Sequence, residues 1–153
     1  YSQFFGGIKM NFRSANLNDS LQLDNLLTKL VEDEKANYDK YINIGKINGL
    51  YQTLLINNNT HAFVCEENNK IVGYIYCYVN NESIGILDAL YIEKEYRGLG
   101  IATKLIELAI NWLKDEKLVK LIEISVMDKN ELAKKLYKKL GFQKFKETLR
   151  IEI

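Results

Sequence analysis

The chain has 153 residues, 47% of them hydrophobic, enough to fill the core of one domain of ordinary size. Lys and Arg total 21 against 20 Asp and Glu, a net charge of +1, so the basic surplus of a general nucleic-acid binder is missing and a small molecule or peptide is the expected partner. No apolar run is long enough to span a bilayer and no charged start leads into an apolar signal region, so no membrane association and a cytoplasmic location are expected.

Residues 1–9 make an awkward start, and Met10-Asn11-Phe12-Arg13 reads as the opening of a first strand, so some of residues 1–9 are expected to be an appended segment. Asp19 or Ser20 is suited to cap a helix whose apolar stripe runs through Leu23, Leu26, Leu27, Leu30 and Val31 and which ends near Tyr38. A less regular helical stretch covers residues 46–56 and is closed by Asn57-Asn58-Asn59. These two helices are expected to form a flap over one sheet face.

From His61 the apolar period changes to two. Strands over residues 61–66, 71–79 and 83–92, with turns at Asn68-Asn69 and Asn80-Asn81, make an antiparallel meander. Cys65 and Cys77 fall in neighbouring strands and are expected as small buried hydrophobes rather than a disulfide or metal ligands. A helix over residues 100–116 carries Ile101, Leu105, Leu108, Ala109 and Trp112 on one face, and an apolar strand over 118–126 returns from it as a right-handed crossover. Residues 130–140 are again helical, Gly141 caps that helix, and 145–153 reads as a last strand. The fold class is therefore α/β (α+β), a single domain over residues 1–153. Its sheet is mixed and mostly antiparallel, of about six to seven strands, with a central parallel crossover and helices on both faces.

The segment between Tyr96 and Thr103 has the chemistry of a diphosphate cradle. A helix N-terminus offers unpaired N–H groups and the positive end of the helix dipole. Gly98 and Gly100 let the backbone approach a ligand closely, Ala102 stays small at the first helical turn, and Arg97 either adds charge or braces the loop. A Gly-x-Gly between strand and helix also suits a plain tight turn. Two other phosphate loops do not fit: there is no Gly-Lys-Ser/Thr ending, and Thr103 stands where a dinucleotide fingerprint needs a third glycine.

Arg97, Gly100 and Ala102 match the pattern Arg/Gln-x-x-Gly-x-Gly/Ala, which resembles the acetyl-CoA-binding signature of the GNAT superfamily of N-acetyltransferases. The stretch Leu87-Asp88-Ala89-Leu90-Tyr91-Ile92 resembles that family's fourth strand, and Asn130-Glu131-Leu132-Ala133-Lys134-Lys135-Leu136-Tyr137-Lys138-Lys139-Leu140-Gly141-Phe142 resembles its late helix. The resemblance covers residues from about Met10 onward and is specific between Leu87 and Phe142. It implies transfer of an acetyl group from acetyl-CoA, as cosubstrate and without a metal, to a primary amine of a small molecule or protein by direct attack in a ternary complex.

The same resemblance assigns coenzyme binding to the backbone at Leu90, Tyr91 and Ile92, to Arg97, Gly98, Leu99, Gly100, Ile101, Ala102 and Thr103, and to Asn130 and Tyr137. Tyr137 is the candidate acid for the leaving thiolate, set against a plain core aromatic. Asn130 would bond the coenzyme arm, although capping its helix also explains it. Asp88 is the candidate base, since the resemblance puts it where polyamine-acetylating relatives carry a carboxylate and a charge amid Ile86, Leu87, Ala89 and Leu90 is costly to bury; a solvent-facing strand residue is the other reading. Glu82 and Glu123 are the alternatives.

Tyr74, Tyr76 and Tyr78 share one strand face, to line an acceptor groove or, for at least two of them, to pack under a helix. His61 opens a strand and is not expected to be catalytic. Glu32-Asp33-Glu34 would attract a cationic acceptor or simply form a solvated helix face. Relatives often continue past Gly-Phe into a longer hairpin, whereas this sequence stops soon after, so a domain-swapped or homodimeric C-terminal edge is a further expectation. The competing functional readings are an acyl-CoA-binding module without catalysis and a nucleotide-binding domain.

Overall fold

The computed structural model describes residues 2–153, so Tyr1, within the segment expected as an addition, lies outside it. Strands β1 (Ser2–Phe5) and β2 (Ile8–Ser14) pair antiparallel with Phe5 opposite Ile8. Between them Gly6 and Gly7 both take positive φ, 56° and 82°, the two-residue hairpin turn whose twist matches its strands. Sheet pairing thus begins ahead of Met10, the expected strand start.

Helix α1 (Ser20–Asn37) is entered through a short 3-10 turn at Leu17–Asp19. Asn16 caps that turn; Asp19 stands at the N-cap position of α1, as the sequence suggests, but makes no side-chain capping bond to it. Asp19 is committed elsewhere, accepting from the Arg13 guanidinium at 2.7 and 2.9 Å and from the Asn16 amide at 2.8 Å. The second helix, α2 (Leu50–Leu54), is much shorter than the expected 46–56. Its start is set by Asp24, a buried α1 side chain whose two carboxylate oxygens accept from the amides of Gly49 at 2.8 Å and Tyr51 at 3.1 Å.

Removing a buried acceptor strands its donors without water. Asp24→Ala is therefore expected to cost about 2 kcal/mol and lower Tm by about 4–8 °C, read by thermal denaturation. An unchanged Tm would mean that α2 is held by its apolar contacts alone.

Strands β3 (Thr60–Glu67), β4 (Lys70–Val79) and β5 (Gly85–Ile92) form the expected meander. Helix α3 (Ile101–Asn111) follows and continues as a π-type turn at Trp112–Glu116. The chain then returns as β6 (Ile122–Ile124), only three residues long, and ends its regular structure with α4 (Glu131–Lys139). The sheet has six strands in sequence order, antiparallel throughout except for β5–β6, which is parallel.

One sheet face packs Met10, Phe12, Val72, Ile75 and Leu87 against Ile101, Leu105, Ile106 and Ala109 of α3. The other packs Val64, Tyr74, Tyr76 and Tyr91 against Leu23 and Leu26 of α1 and Tyr51 of α2. Each such fully buried side chain contributes about 1.5–3 kcal/mol of transfer free energy, so the two layers, more than any polar contact, hold the sheet. Tyr74 and Tyr76 belong to the core, with the Tyr51 and Tyr74 hydroxyls bonded at 2.8 Å, and Tyr78 packs at its margin. Cys65 and Cys77 are free and buried, their thiols pushed up to about 12 by burial.

No strand forms over residues 145–153. The segment has a strand-like alternation, with Phe145, Leu149, Ile151 and Ile153 at every second position apart from Glu147, but it finds no edge to pair with. It runs instead to the loop after α1, where Arg150 meets Asp39 at 2.8 Å and Glu152 meets Lys40 at 3.1 Å and the Tyr41 hydroxyl. Among the described residues the outer edge of β6 stays unpaired.

Candidate active site

Two irregularities in β5 open a cleft. Pairing with β6 stops at Leu87 opposite Ile124, after which β5 and the chain following β6 part. On the other side of β5, Tyr76 pairs with Ala89 and Cys77 with Leu87, so Asp88 is the extra residue of a β-bulge. Leu87 packs toward α3 and Ala89 toward α1, which turns Asp88 to the α1 side as well. The resulting cleft, about 430 Å³, runs between the second half of α1, the exposed edge of β5, the start of α3 and the inner face of α4.

At one end lies the glycine loop. Gly98 and Gly100 have φ of 76° and 92°, conformations that side-chain-bearing residues resist, and Gly100 is the N-cap of α3. Among the described residues, the backbone amides of residues 98–103 have no acceptor within the chain, so several N–H groups and the helix dipole converge on one place. A Cβ placed on Gly98 would meet nothing within 4 Å, which leaves open the approach a diphosphate needs. The loop thus fits such a group through backbone rather than side chains.

The side chains of this loop have other work. Arg97 is a brace: its Nε donates to the Ile92 carbonyl at 2.8 Å, its Nη2 meets Asp33 of α1 at 3.2 Å, and its guanidinium lies over the Tyr91 ring at 5.2 Å. Leu99 packs on the β1–β2 turn, where a Cβ at Gly6 would lie 2.6 Å from its Cδ2. Ile101 is fully buried in the α3 layer, while Ala102 and Thr103 line the cleft. Lys29 of α1 bonds the buried Glu93 carboxylate at 2.9 Å, a second tie between α1 and the end of β5.

Along the middle of the cleft lie Leu90, Tyr91 and Ile92, whose backbone on this edge has no neighbouring strand. Tyr137 lines it from α4. The phenol is pushed up to about 12, chiefly by burial and then by the charge of Glu34, and its ring meets Phe142 edge-on at 6.1 Å. Asn130 also lines the cleft, but its Oδ1 caps α4 by accepting from the Ala133 amide at 3.1 Å, so the capping role is real whatever else its amide nitrogen does.

Of the three carboxylates considered as a base, only Asp88 lines the cleft; it is exposed to solvent there, as the second of its two sequence readings has it, and partial desolvation raises its pKa above the ordinary value. Glu82 sits exposed in the β4–β5 turn and Glu123 on β6, both outside the cleft lining. The carboxylate that sequence reasoning does not single out is Glu34. It is half-buried, lines the cleft opposite Asp88, and has its pKa raised first by burial and then by Asp88. The acidic run on α1 is split three ways by helical rotation: Glu32 faces solvent, Asp33 binds Arg97, and Glu34 enters the cleft. His61 stacks on Trp112 at 4.8 Å and bonds Ser14 at 2.9 Å, away from the cleft.

Among the described residues no group of three or more His, Cys, Asp or Glu side chains is gathered to hold a metal ion, and no helix is long and apolar enough to cross a membrane.

The chain is similar to known proteins in sequence and in fold. The chain is 30% identical over 99 residues to an uncharacterised N-acetyltransferase of Methanocaldococcus jannaschii, a match covering 61% of this chain and 43% of that protein. It is 32% identical over 93 residues to N-alpha-acetyltransferase 30 of Schizosaccharomyces pombe, covering 58% and 61%. The chain thus matches less than two thirds of the length of either relative. In fold it is similar to a predicted acetyltransferase from Clostridium acetobutylicum whose structure was solved with acetyl-CoA, with a TM-score of 0.73 at 24% identity over 94% of this chain and 96% of that one. The model of the acetyltransferase (GNAT) family matches residues 22–142, from α1 through the turn after α4, and so takes in every wall of the cleft. The chain belongs to the acetyltransferase (GNAT) family.

Proposed function

We propose that this chain is an acetyl-CoA-dependent N-acetyltransferase acting on a primary amine by direct attack in a ternary complex. The observation that carries the reading is the convergence on one cleft of unpaired loop amides at residues 98–103, a β5 edge at 90–92 that no strand covers and the Tyr137 phenol. In this reading the loop amides and the α3 dipole hold the diphosphate of the cosubstrate, with Gly98 and Gly100 giving the backbone its approach. Arg97 serves by fixing the loop against β5 and α1. The β5 edge bonds the pantetheine arm and polarises the acetyl carbonyl, where charge develops as the amine attacks. In this reading Asn130, which lines the cleft, bonds the arm through its amide nitrogen.

An amine is protonated near neutral pH, so a base must take its proton, and the leaving thiolate needs an acid. Asp88 is the base in this reading, at the cleft's α1 side. Tyr137 is the acid: a phenol raised to about 12 keeps its proton at neutral pH until the thiolate forms.

Isothermal titration with acetyl-CoA, NAD and ATP, followed by a thiol-release assay over a panel of amines, tests the proposal. Saturable binding of acetyl-CoA in preference to the nucleotides, and release of free coenzyme A with at least one amine, are expected. Binding without release on every acceptor would replace the enzyme with a non-catalytic acyl-CoA-binding module.

A further inference from the structure

Helix α1 changes its hold on the molecule halfway along. Ser20, Leu23, Asp24 and Leu26 are buried in its first half, whereas no side chain from Leu27 to Asn37 is. That second half is nonetheless a wall of the cleft, through Leu30, Asp33, Glu34 and Asn37. Leu27 and Leu30 reach only the margin of the core, so its ties to the end of β5 are chiefly ionic. Lys29 bonds Glu93 at 2.9 Å, and Asp33 meets Arg97 at 3.2 Å and Lys94 at 3.9 Å. Lys29 and Asp33 stand four residues apart in the helix and so share one face, which is turned to residues 93–97.

The two ties end on different ground. Glu93 is buried and its amide donates to the Val72 carbonyl at 2.8 Å, so Lys29 is moored to the sheet itself. Arg97 stands across the 3-10 turn at Lys94–Tyr96, one residue before Gly98. Its own amide reaches the Lys94 carbonyl only at 3.3 Å. After it come two glycines at positive φ and, among the described residues, the amides of 98–103 with no acceptor within the chain. A stretch with so few bonds of its own belongs to the least stable part of a fold, and an anion accepting from several of its amides removes that freedom. Asp33 is thus moored beside the segment that a bound diphosphate would order.

We propose that Asp33 is a positioning residue: through Arg97 it ties the cleft-lining half of α1 to the glycine loop, so that a diphosphate held at residues 98–103 also steadies the opposite wall of the cleft. This rests on the acetyl-CoA reading above and adds a link between the donor end of the cleft and α1. Lys29 is the pivot and Asp33 the arm. Arg97 suits the relay because its planar guanidinium meets three groups at once: the Ile92 carbonyl at 2.8 Å, the Tyr91 ring at 5.2 Å and the Asp33 carboxylate. The point charge of a lysine would not span them. The arm carries Glu34 and Asn37 with it, since both follow Asp33 on the same helix and line the cleft.

The test is amide hydrogen exchange of the full chain, alone and saturated with acetyl-CoA. Acetyl-CoA is expected to slow exchange at residues 98–103 and also at 30–38, the latter by about threefold, the scale a partly exposed ion pair supplies, while residues 20–26 stay unchanged. Asp33→Asn should keep the slowing at 98–103 and lose it at 30–38, and Asp33→Glu should keep part of it. A pair that merely stiffens α1 predicts instead that the slowing at 30–38 survives Asp33→Asn. That survival, or exchange at 30–38 that does not respond to acetyl-CoA in the unaltered chain, overturns the link; protection at 98–103 in the same experiment leaves the acetyl-CoA reading standing. No protection at 98–103 and no saturable binding of acetyl-CoA overturn both.

Discussion

Replacing Tyr137 with phenylalanine is expected to lower kcat by about two to four orders of magnitude while leaving the Kd for acetyl-CoA within about twofold, the range general acid catalysis supplies. Phenylalanine keeps the ring, and with it the edge contact to Phe142 at 6.1 Å and the packing of α4 on the core, so the fold and the cleft wall survive. What is lost is one O–H. Burial and the charge of Glu34 both favour the neutral phenol, raising it to about 12, so that proton is present across the neutral range and available only when a stronger base appears. In the proposed reaction the leaving thiolate is such a base. The interaction therefore exists mainly in the transition state, which is why kcat should fall without a matching change in affinity. A purely packing role predicts the opposite pattern, with kcat unchanged, and steady-state kinetics with a titration of acetyl-CoA distinguishes the two.

Much of this site is legible in the sequence because its parts are local. The alternation over β3, β4 and β5 announces the meander, and the glycine loop is spelled within Arg97 to Ala102. What is not legible depends on register and rotation. A strict period of two would put Asp88 on the α3 side with Leu90, yet the bulge sends it to the α1 side beside Ala89. Likewise Glu32, Asp33 and Glu34 look equivalent in a run, but about 100° of helical turn per residue gives them solvent, an arginine and the cleft. Asp24 carries no motif at all; it becomes structural only because two amides from the start of α2 close on it. The last segment fails as a strand for a complementary reason. Alternation describes a face, whereas a strand also needs an edge within reach, and the short β6 is not met by residues 145–153.

Gly100→Val is expected to raise the Kd for acetyl-CoA by about a hundredfold or more, while Tm falls only a few degrees. The side chain itself has room: a Cβ at this position would lie 3.8 Å from the Phe5 ring, an ordinary contact. The difficulty is the backbone. At φ of 92° a β-branched residue is strained by about 1–3 kcal/mol, and the least costly relief is for the loop to rotate away from that conformation. Rotation swings the amides at the start of α3 off their common target. Hydrogen bonds to a charged group contribute about 1.5–3 kcal/mol each, so misdirecting two of them is enough for the expected loss. The stability cost, by contrast, is limited to the strain. If the glycine served only the turn, the same substitution would lower Tm and leave the acetyl-CoA isotherm untouched, so the two measurements on one variant separate a ligand cradle from a tight turn.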